Sequence, residues 1–239
     1  MNTIKFDKGN VRIVAHRGLS GIERENTNAA FVAAGNRSYY GIETDIHRTA
    51  DGHFVVCHDD DLFRVSGEKI HVEDVTLATL QNIILFDKDD TKDRADLRPS
   101  TLENYINICK KYEKHSVLEL KSIFTDEEIA RIIDIICGLG YIENVTFISF
   151  YYENLEKVRS ILPHQSVQFL FSKLTEELTE KLAQAKSDVD AIYTILNEEN
   201  VKKFHEAGLK VNCWTVDSPE EGERLAKIGV DFITSNILE

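Results

Sequence analysis

The chain has no apolar run of membrane length and no charged-then-apolar leader after Met1, so neither a spanning helix nor export is expected, and the compartment read from it is the cytoplasm. It has little cysteine. Cys57, Cys109, Cys137 and Cys213 stand without CxxC or metal-finger spacing, which argues against a zinc finger and reads as small buried hydrophobes in a reducing compartment. It lacks a GxGxxG turn, the usual mark of a doubly wound nucleotide-binding sheet. Positive charge is scarce as well. The formal net charge of −13 argues against general nucleic-acid binding and against a stable membrane anchor. The same charge repels an anionic substrate at long range, so a site for one needs local cations.

What the chain does have is a strand-turn-strand stretch at residues 41–59, GIETDIHRTADGHFVVCHD. Asp51-Gly52 between β-prone residues is a strong hairpin signal, because a tight turn needs positive φ at its centre. With Asp51 and Gly52 as the two turn residues, Ala50 faces His53 and Asp45 sits opposite His58. Glu43 lies two residues before Asp45, so strand periodicity puts both carboxylates on one face. Acids alternating along a strand usually form the solvated face of an amphipathic sheet. Here Ile42, Ile46, Phe54, Val55 and Val56 make the pair of strands a buried one. Acids on a buried strand must be protonated, paired or metal-bound, so the stretch reads as a polar site.

At 239 residues and 42% hydrophobic, the chain suits one domain of barrel size. A strand at 11–15 runs into His16-Arg17-Gly18, and a helix starts at Asn26 or Thr27 and continues through Ala29, Ala30, Ala33 and Ala34. Residues 60–98 break the rhythm; they read as an inserted segment, with a short helix at 77–84 behind Thr76 and the run DKDDTKDRAD as solvated loop. After that the pattern is regular. Helices at 101–114, 126–139, 153–161, 176–186, 198–207 and 219–227 lead in turn to strands at 116–121, 145–150, 167–172, 191–195, 210–216 and 231–235. Gly140, Gly208 and Gly229 fall just past helix ends. Counting the first two strands, eight strands separated by crossover helices predict an α/β fold of the (β/α)₈ TIM-barrel type: one catalytic domain over residues 1–239, with a small insertion after the second strand at about 60–98. The closing helix after the eighth strand is missing or replaced by other residues.

Barrel active sites lie at the C-terminal ends of the strands. That selects His16 and Arg17, Glu43 and Asp45, Glu119 and Lys121, Ser149 and Trp214, with His58 returned by the hairpin. Three converging carboxylates, Glu43, Asp45 and Glu119, repel one another more than a single Lys can cancel. A hard divalent cation, Mg²⁺ or Ca²⁺, suits an all-oxygen set. Arg17 and Lys121 suit an anion instead, and a metal with two cations around one point describes a phosphoryl group. His16 and His58 can take and give protons near neutrality, one as base and one as acid, which points to P–O cleavage with a poor leaving alkoxide. His47, His53, His71, His115, His164 and His205 have no such setting and read as surface or core-edge residues.

His16-Arg17-Gly18, Glu25-Asn26-Thr27, Glu43-Thr44-Asp45, Thr49-Ala50-Asp51-Gly52 to His58-Asp59, Glu119-Leu120-Lys121, Trp214-Thr215-Val216 and Gly229-Val230-Asp231 to Thr234 follow one another in an order and spacing that resembles the glycerophosphodiester phosphodiesterase family. The resemblance spans most of the chain. It implies a TIM barrel with a segment inserted after the second strand, a metal held by Glu43, Asp45 and Glu119, acid/base roles for His16 and His58, and phosphate contacts from Arg17 and Lys121. The implied reaction is metal-dependent hydrolysis of a glycerophosphodiester to glycerol 3-phosphate and an alcohol. Glu25 is expected to orient Arg17 or His16. Trp214 is read either as core packing or as a wall of the glycerol pocket. Two positions depart from the family pattern: Arg24 stands where Pro is usual, and Ser235-Asn236 where Asp-Pro is usual. Two other readings are a phosphodiesterase acting on lysophospholipids through an apolar patch, sought within residues 62–85, and a non-catalytic ligand-binding barrel. For the chemistry, attack by the substrate's adjacent hydroxyl through a cyclic phosphate and direct attack by water both remain open, with His16 favoured as base and His58 as acid.

Overall fold

In the computed structural model, which describes residues 2–239, the apolar runs lie in one sheet. Its strands are β1 (Arg12–Ala15), β2 (Gly41–Arg48), β3 (Phe54–Val56), β4 (His115–Leu120), β5 (Val145–Ser149), β6 (Ser166–Phe171), β7 (Asp188–Ile192), β8 (Val211–Trp214) and β9 (Phe232–Ser235). Their order is β1-β9-β8-β7-β6-β5-β4-β2-β3, and the additional parallel pairing of β1 with β2 closes the sheet. Eight strands therefore form a closed parallel TIM barrel, and β3 is hydrogen-bonded antiparallel to β2 outside that count. Helices α1 (Asn28–Gly35), α4 (Leu102–Lys111), α5 (Asp126–Gly138), α6 (Tyr152–Ile161), α7 (Glu176–Ala185), α8 (Glu198–Glu206) and α9 (Pro219–Ile228) carry the crossovers. Most begin at a side-chain cap: Thr27, Thr101, Thr125, Thr175, Asn197 and Ser218 each accept a backbone N–H of the first turn. No helix of the described residues is long and apolar enough to cross a membrane.

Two apolar layers build the barrel. Ile42, Leu118, Phe147 and Val211 belong to the layer between strands and helices, whereas Val14, Val117, Ile148 and Leu170 form a small cluster inside the barrel. Strand periodicity puts Glu119 on the same face as Val117, so the acids stand on top of the inner plug.

The segment between β3 and α4 departs from the barrel pattern. It contains α2 (Phe63–Ser66) and α3 (Leu77–Gln81) and has its own core of Val55, Cys57, Leu62, Val65, Val72, Leu80, Leu85 and Leu97. Thr76 caps α3 as expected. The charged run 87–96 is not only solvated loop: Lys88 Nζ donates to the Ser20 carbonyl (2.7 Å) and Arg94 pairs with Glu23 (2.6 Å). Arg24 completes the clamp, donating to the carbonyls of Phe86 (2.5 Å) and Asp87 (2.6 Å), a role that a proline could not fill.

Several sequence expectations need correction. The hairpin is one residue longer in its loop than predicted. Thr49, not Ala50, pairs with His53 (N–H to O 2.8 Å), and Ala50, Asp51 and Gly52 form a three-residue connection that ends in Gly52 at φ +78°. The register is Ile46 with Val56 and Arg48 with Phe54, so Asp45 lies opposite Cys57 (N–H to O 3.1 Å), and His58 follows beyond the strand end. β7 starts three residues before the predicted 191, because Asp188 and Asp190 alternate with buried Val189 and turn toward cavities inside the barrel. Residues 193–195 are a 3₁₀ turn. Cys137 is exposed, one position past the buried stripe Ile129, Ile132, Ile133 and Ile136, while the other cysteines are buried and all are free. His47 is not a surface residue: it is 1% exposed and approaches the His58 carbonyl through Nε2 (3.3 Å).

The turn after β1 depends on Gly18, whose φ is +76°; a Cβ there would stand 2.7 Å from the backbone carbon and Cβ of Ala30 on α1. Gly18→Ala is therefore expected to cost about 2–4 kcal/mol, from the left-handed backbone and the displaced helix together. Denaturant unfolding should show a lower midpoint at unchanged slope; a parental midpoint would contradict the close approach.

Candidate active site at the C-terminal mouth of the barrel

β1 delivers His16 and Arg17 to the mouth, and the backbone there is held in an uncommon form. Arg17 and Asn26 both sit at positive φ, 53° and 58°. Hydrogen bonds over-determine them: Arg17 N–H donates to Glu43 Oε2 (2.7 Å), and Asn26 N–H to the Arg17 carbonyl (3.0 Å). The Asn26 side chain then bridges two neighbours of β2. Its Nδ2 donates to Asp45 Oδ2 (2.9 Å), and its Oδ1 accepts from Thr44 Oγ1 (2.8 Å). Sequence reading left Asn26 as a possible helix cap; the cap is Thr27.

Glu43, Asp45 and Glu119 each offer one oxygen within 4.8 Å of the others, and all three are buried. Asp45, 1% exposed, has an Oδ1 with no hydrogen-bond partner among the described residues. Lys121 Nζ lies 3.0 Å from Glu119 and 3.8 Å from Asp45, and Arg17 Nε lies 3.6 Å from Asp45. Two cations thus face three acids. Burial and then the Asp45 charge push Glu43 well above the ordinary carboxyl range, and the same two causes raise Glu119 to about 8. Burial also opposes ionisation of Asp45, but Arg17, His58, Lys121 and the Asn26 hydrogen bond outweigh it and hold that carboxyl low.

Both histidines are fixed through Nδ1. His16 Nδ1 lies 2.8 Å from Asn236 Oδ1, which also accepts from Ser20 Oγ (2.6 Å), while Asn236 Nδ2 donates to Asp217 Oδ2 (2.6 Å). The Asp217 contact orients the amide, so His16 Nδ1 carries the proton and Nε2 is left free, 4.0 Å from Glu43. Burial first, then Arg17, lower the pKa of His16 to about 4. His58 Nδ1 donates to Asp59 Oδ1 (2.6 Å); its pKa is also lowered, by burial and by the Arg17 and Lys121 charges, against an upward pull from Asp45 and Asp59.

Glu25 touches Arg17 (Oε1 to Nη1 2.8 Å), which decides between the two partners expected for it. Burial works against its ionisation, but hydrogen bonds and charge from Arg64 and Arg17 bring its pKa down to about 2. Trp214 does both things expected of it, packing against the inner cluster of Val14, Val117, Ile148 and Leu170 and lining the pocket; its Nε1 donates to the Asp190 carbonyl (3.3 Å), and its ring meets Phe150 edge-on at 5.6 Å. The pocket between these groups is small, about 90 Å³, and is lined by His16, Arg17, Glu43, His58, Glu119 and Asp190 together with the apolar Ile148, Phe150, Leu170 and Trp214. Ser149 does not join it: its Oγ donates to the Leu120 carbonyl (2.8 Å) on the outer face. A cavity at the opposite end of the barrel, lined by Tyr40, His115, Gln168 and Lys210 among others, contains none of these groups. Asn236, Asp217, Arg64 and His47 contact site residues but were not selected from sequence. Asn236 follows β9, Asp217 follows β8 and Arg64 lies on α2, each brought in by the fold, while His47 sits on β2 two residues past Asp45.

Residues 16–238 match the sequence profile of the glycerophosphoryl diester phosphodiesterase family. A glycerophosphodiester phosphodiesterase of Caldanaerobacter subterraneus subsp. tengcongensis is 31% identical over 228 residues, covering 94% of this chain and 93% of that protein. One from Bacillus subtilis is 28% identical over 242 residues, covering 93% and 82%. Among solved structures, an Oleispira antarctica phosphodiesterase in complex with the product sn-glycerol-3-phosphate superposes with a TM-score of 0.86 at 23% identity, covering 98% of this chain and 96% of that one, a likeness of fold. A Parabacteroides distasonis glycerophosphodiester phosphodiesterase superposes with a TM-score of 0.80 at 27% identity, covering 95% and 93%. With the profile and the first relative each spanning nearly the whole chain, the protein belongs to the glycerophosphoryl diester phosphodiesterase family.

Proposed function

We propose that this chain hydrolyses glycerophosphodiesters to glycerol 3-phosphate and an alcohol, using a hard divalent cation held by Glu43, Asp45 and Glu119. The observation that carries the reading is the buried acid triad set between two histidines, each with one nitrogen pinned. The triad suits a cation on its own chemistry. Its donors are all oxygen, Asp45 Oδ1 is buried with no hydrogen-bond partner among the described residues, and Glu43 and Glu119 are pushed toward the protonated form by burial and then by the Asp45 charge. Glu43, Asp45 and Glu119 would hold Mg²⁺ or Ca²⁺, which would supply the charge that lets all three ionise and that offsets charge developing on a phosphoryl group.

The chain's own residues do the rest. Arg17 and Lys121 border the triad as the groups for phosphate oxygens, and Glu25 fixes the Arg17 fork. His16, kept neutral by burial and Arg17, is the base at Nε2; His58, with Asp45 and Asp59 favouring its charged form, is the acid. In the preferred route His16 takes the proton of the hydroxyl next to the ester oxygen while His58 protonates the leaving alcohol, and water opens the cyclic phosphate with the roles reversed. Intramolecular attack is favoured because the hydroxyl is already held in place. Ile148, Phe150, Leu170 and Trp214 form the surface for the carbon skeleton.

A second reading, a lysophospholipid-type substrate, has one observation in its favour. Phe150 is 42% exposed at the pocket wall and Tyr151 beside it is exposed too, whereas within residues 62–85 the exposed large hydrophobic is Phe63. Exposed apolar side chains thus stand both just past the end of β5 and, at Phe63, in the inserted segment. A binding barrel without catalysis has no use for two histidines held in single tautomers, and that reading is the weakest of the three.

Chelation with EDTA is expected to abolish turnover of glycerophosphocholine, with Mg²⁺ or Ca²⁺ restoring it; full activity in metal-free protein would count against the triad's role. His16→Ala and His58→Ala should each lower kcat by about 10²–10⁴-fold. Unchanged kcat in either variant removes that residue from the proposed chemistry. A substrate with hydrogen in place of the adjacent hydroxyl should bind but turn over far more slowly. If it reacts as fast as the parent diester, the cyclic route is excluded and direct attack by water is left.

A further inference from the structure

Arg64 ties the inserted segment to the anchors of the site. Arg64 on α2 donates from Nε to Asp59 Oδ2 (2.7 Å), from Nη1 to Glu25 Oε2 (2.8 Å) and from Nη2 to Glu25 Oε1 (2.8 Å). Each carboxylate it holds has a second partner at the mouth. Asp59 presents its other oxygen, Oδ1, to His58 Nδ1 (2.6 Å), and Glu25 Oε1 also accepts from Arg17 Nη1 (2.8 Å). Arg64 itself does not line the pocket, and its side chain is 46% exposed. It touches neither the pocket nor the acid triad, yet it is bonded to the anchors of both a histidine and an arginine that do.

We propose that Arg64 is a positioning residue that fixes His58 in its Nδ1–H tautomer through Asp59 and the Arg17 fork through Glu25. A carboxylate tethered at one oxygen cannot rotate freely, so its other oxygen keeps a constant place for the imidazole N–H. A guanidinium is the group for this task. Its planar fork serves two carboxylates at once, where a lysine ammonium on a flexible stem is a single point charge. The inference rests on the hydrolase reading for its catalytic consequence, while its geometric content, one tautomer at His58, stands apart from that reading.

The test uses the full chain with Arg64→Gln, Arg64→Lys and Asp59→Asn. Kinetics are measured on glycerophosphocholine with Mg²⁺, and the tautomer is read by ¹⁵N NMR of labelled histidine. R64Q is expected to lose about 10–100-fold in kcat, and its His58 signal should change from the Nδ1–H form to a tautomer mixture. R64K, which keeps the charge, should fall between R64Q and the parent, and it substitutes for R64Q if the glutamine variant does not fold. In the D59N background the same substitution should cost less, because one of the two carboxylates it acts through no longer holds His58 and only the Glu25 route is left. Near-parental kcat in R64Q overturns the proposal, as does an equal loss in both backgrounds or an unchanged His58 tautomer. If the parent protein itself shows no turnover, the hydrolase reading fails and the tautomer measurement still decides the role of Arg64.

Discussion

Three carboxylates crowded into the mouth of a barrel are the constraint on which the site depends. Glu43 and Asp45 lie on one strand of the closed sheet and Glu119 on its neighbour, paired with Asp45 in register, so the backbone that closes the barrel also forces the acids together. Burial prevents water from screening them. Their surroundings are arranged in answer: Arg17 donates its backbone N–H to Glu43, Asn26 donates to Asp45, and Lys121 leans on Glu119. These contacts hold Asp45 ionised but leave Glu43 and Glu119 driven upward. Two neighbouring cations are not enough, and that shortfall is the physical content of the proposed divalent ion.

The inserted segment takes its place in the same economy of charge. In a chain of net charge −13, cations near the mouth must be held there by specific partners. Arg24 reaches across to the carbonyls of Phe86 and Asp87, Arg94 returns to Glu23, and Lys88 to Ser20, so the segment and the loop after β1 are tied in both directions. Arg64 carries that tie to within one residue of His58. The segment is thus braced against the loop that presents His16 and Arg17, and its small apolar core keeps the brace in shape.

The barrel was legible because each strand and helix declares itself by local period, cap and length. The acids were legible because two of them share a strand and the third recurs at the matching end of another. The hairpin register was not, since Asp-Gly is compatible with both a two-residue turn and a three-residue loop ending in a left-handed glycine. The choice is made by contacts from elsewhere: Ala50 N–H donates to the Val75 carbonyl and Asp51 accepts from Leu77 N–H. The start of β7 was hidden for a similar reason, because Asp188 and Asp190 look like loop residues until the barrel interior is known to be partly polar. Asn236 and Asp217 were out of reach altogether, Asn236 lying 220 positions from His16 and held to Asp217 through both its side-chain amide and its backbone N–H.

The two histidines show how the surroundings give a direction to proton flow. Each is pinned at Nδ1, which leaves Nε2 as the exchanging nitrogen in both. The pins differ in charge. His16 leans on a neutral amide oxygen and sits beside the Arg17 guanidinium, so its protonated form gains only a neutral acceptor at Nδ1, and burial and Arg17 outweigh it. His58 leans on a carboxylate and faces Asp45, so its imidazolium has a formal countercharge at 2.6 Å. Burial depresses both, but only for His58 does the pinning group itself stabilise the charged form more than a neutral acceptor does. The net shift of His58 is still downward, because burial with Arg17 and Lys121 outweighs that countercharge, so the asymmetry between an amide and a carboxylate favours His58 over His16 as proton donor in the proposed reaction without making it charged from the start.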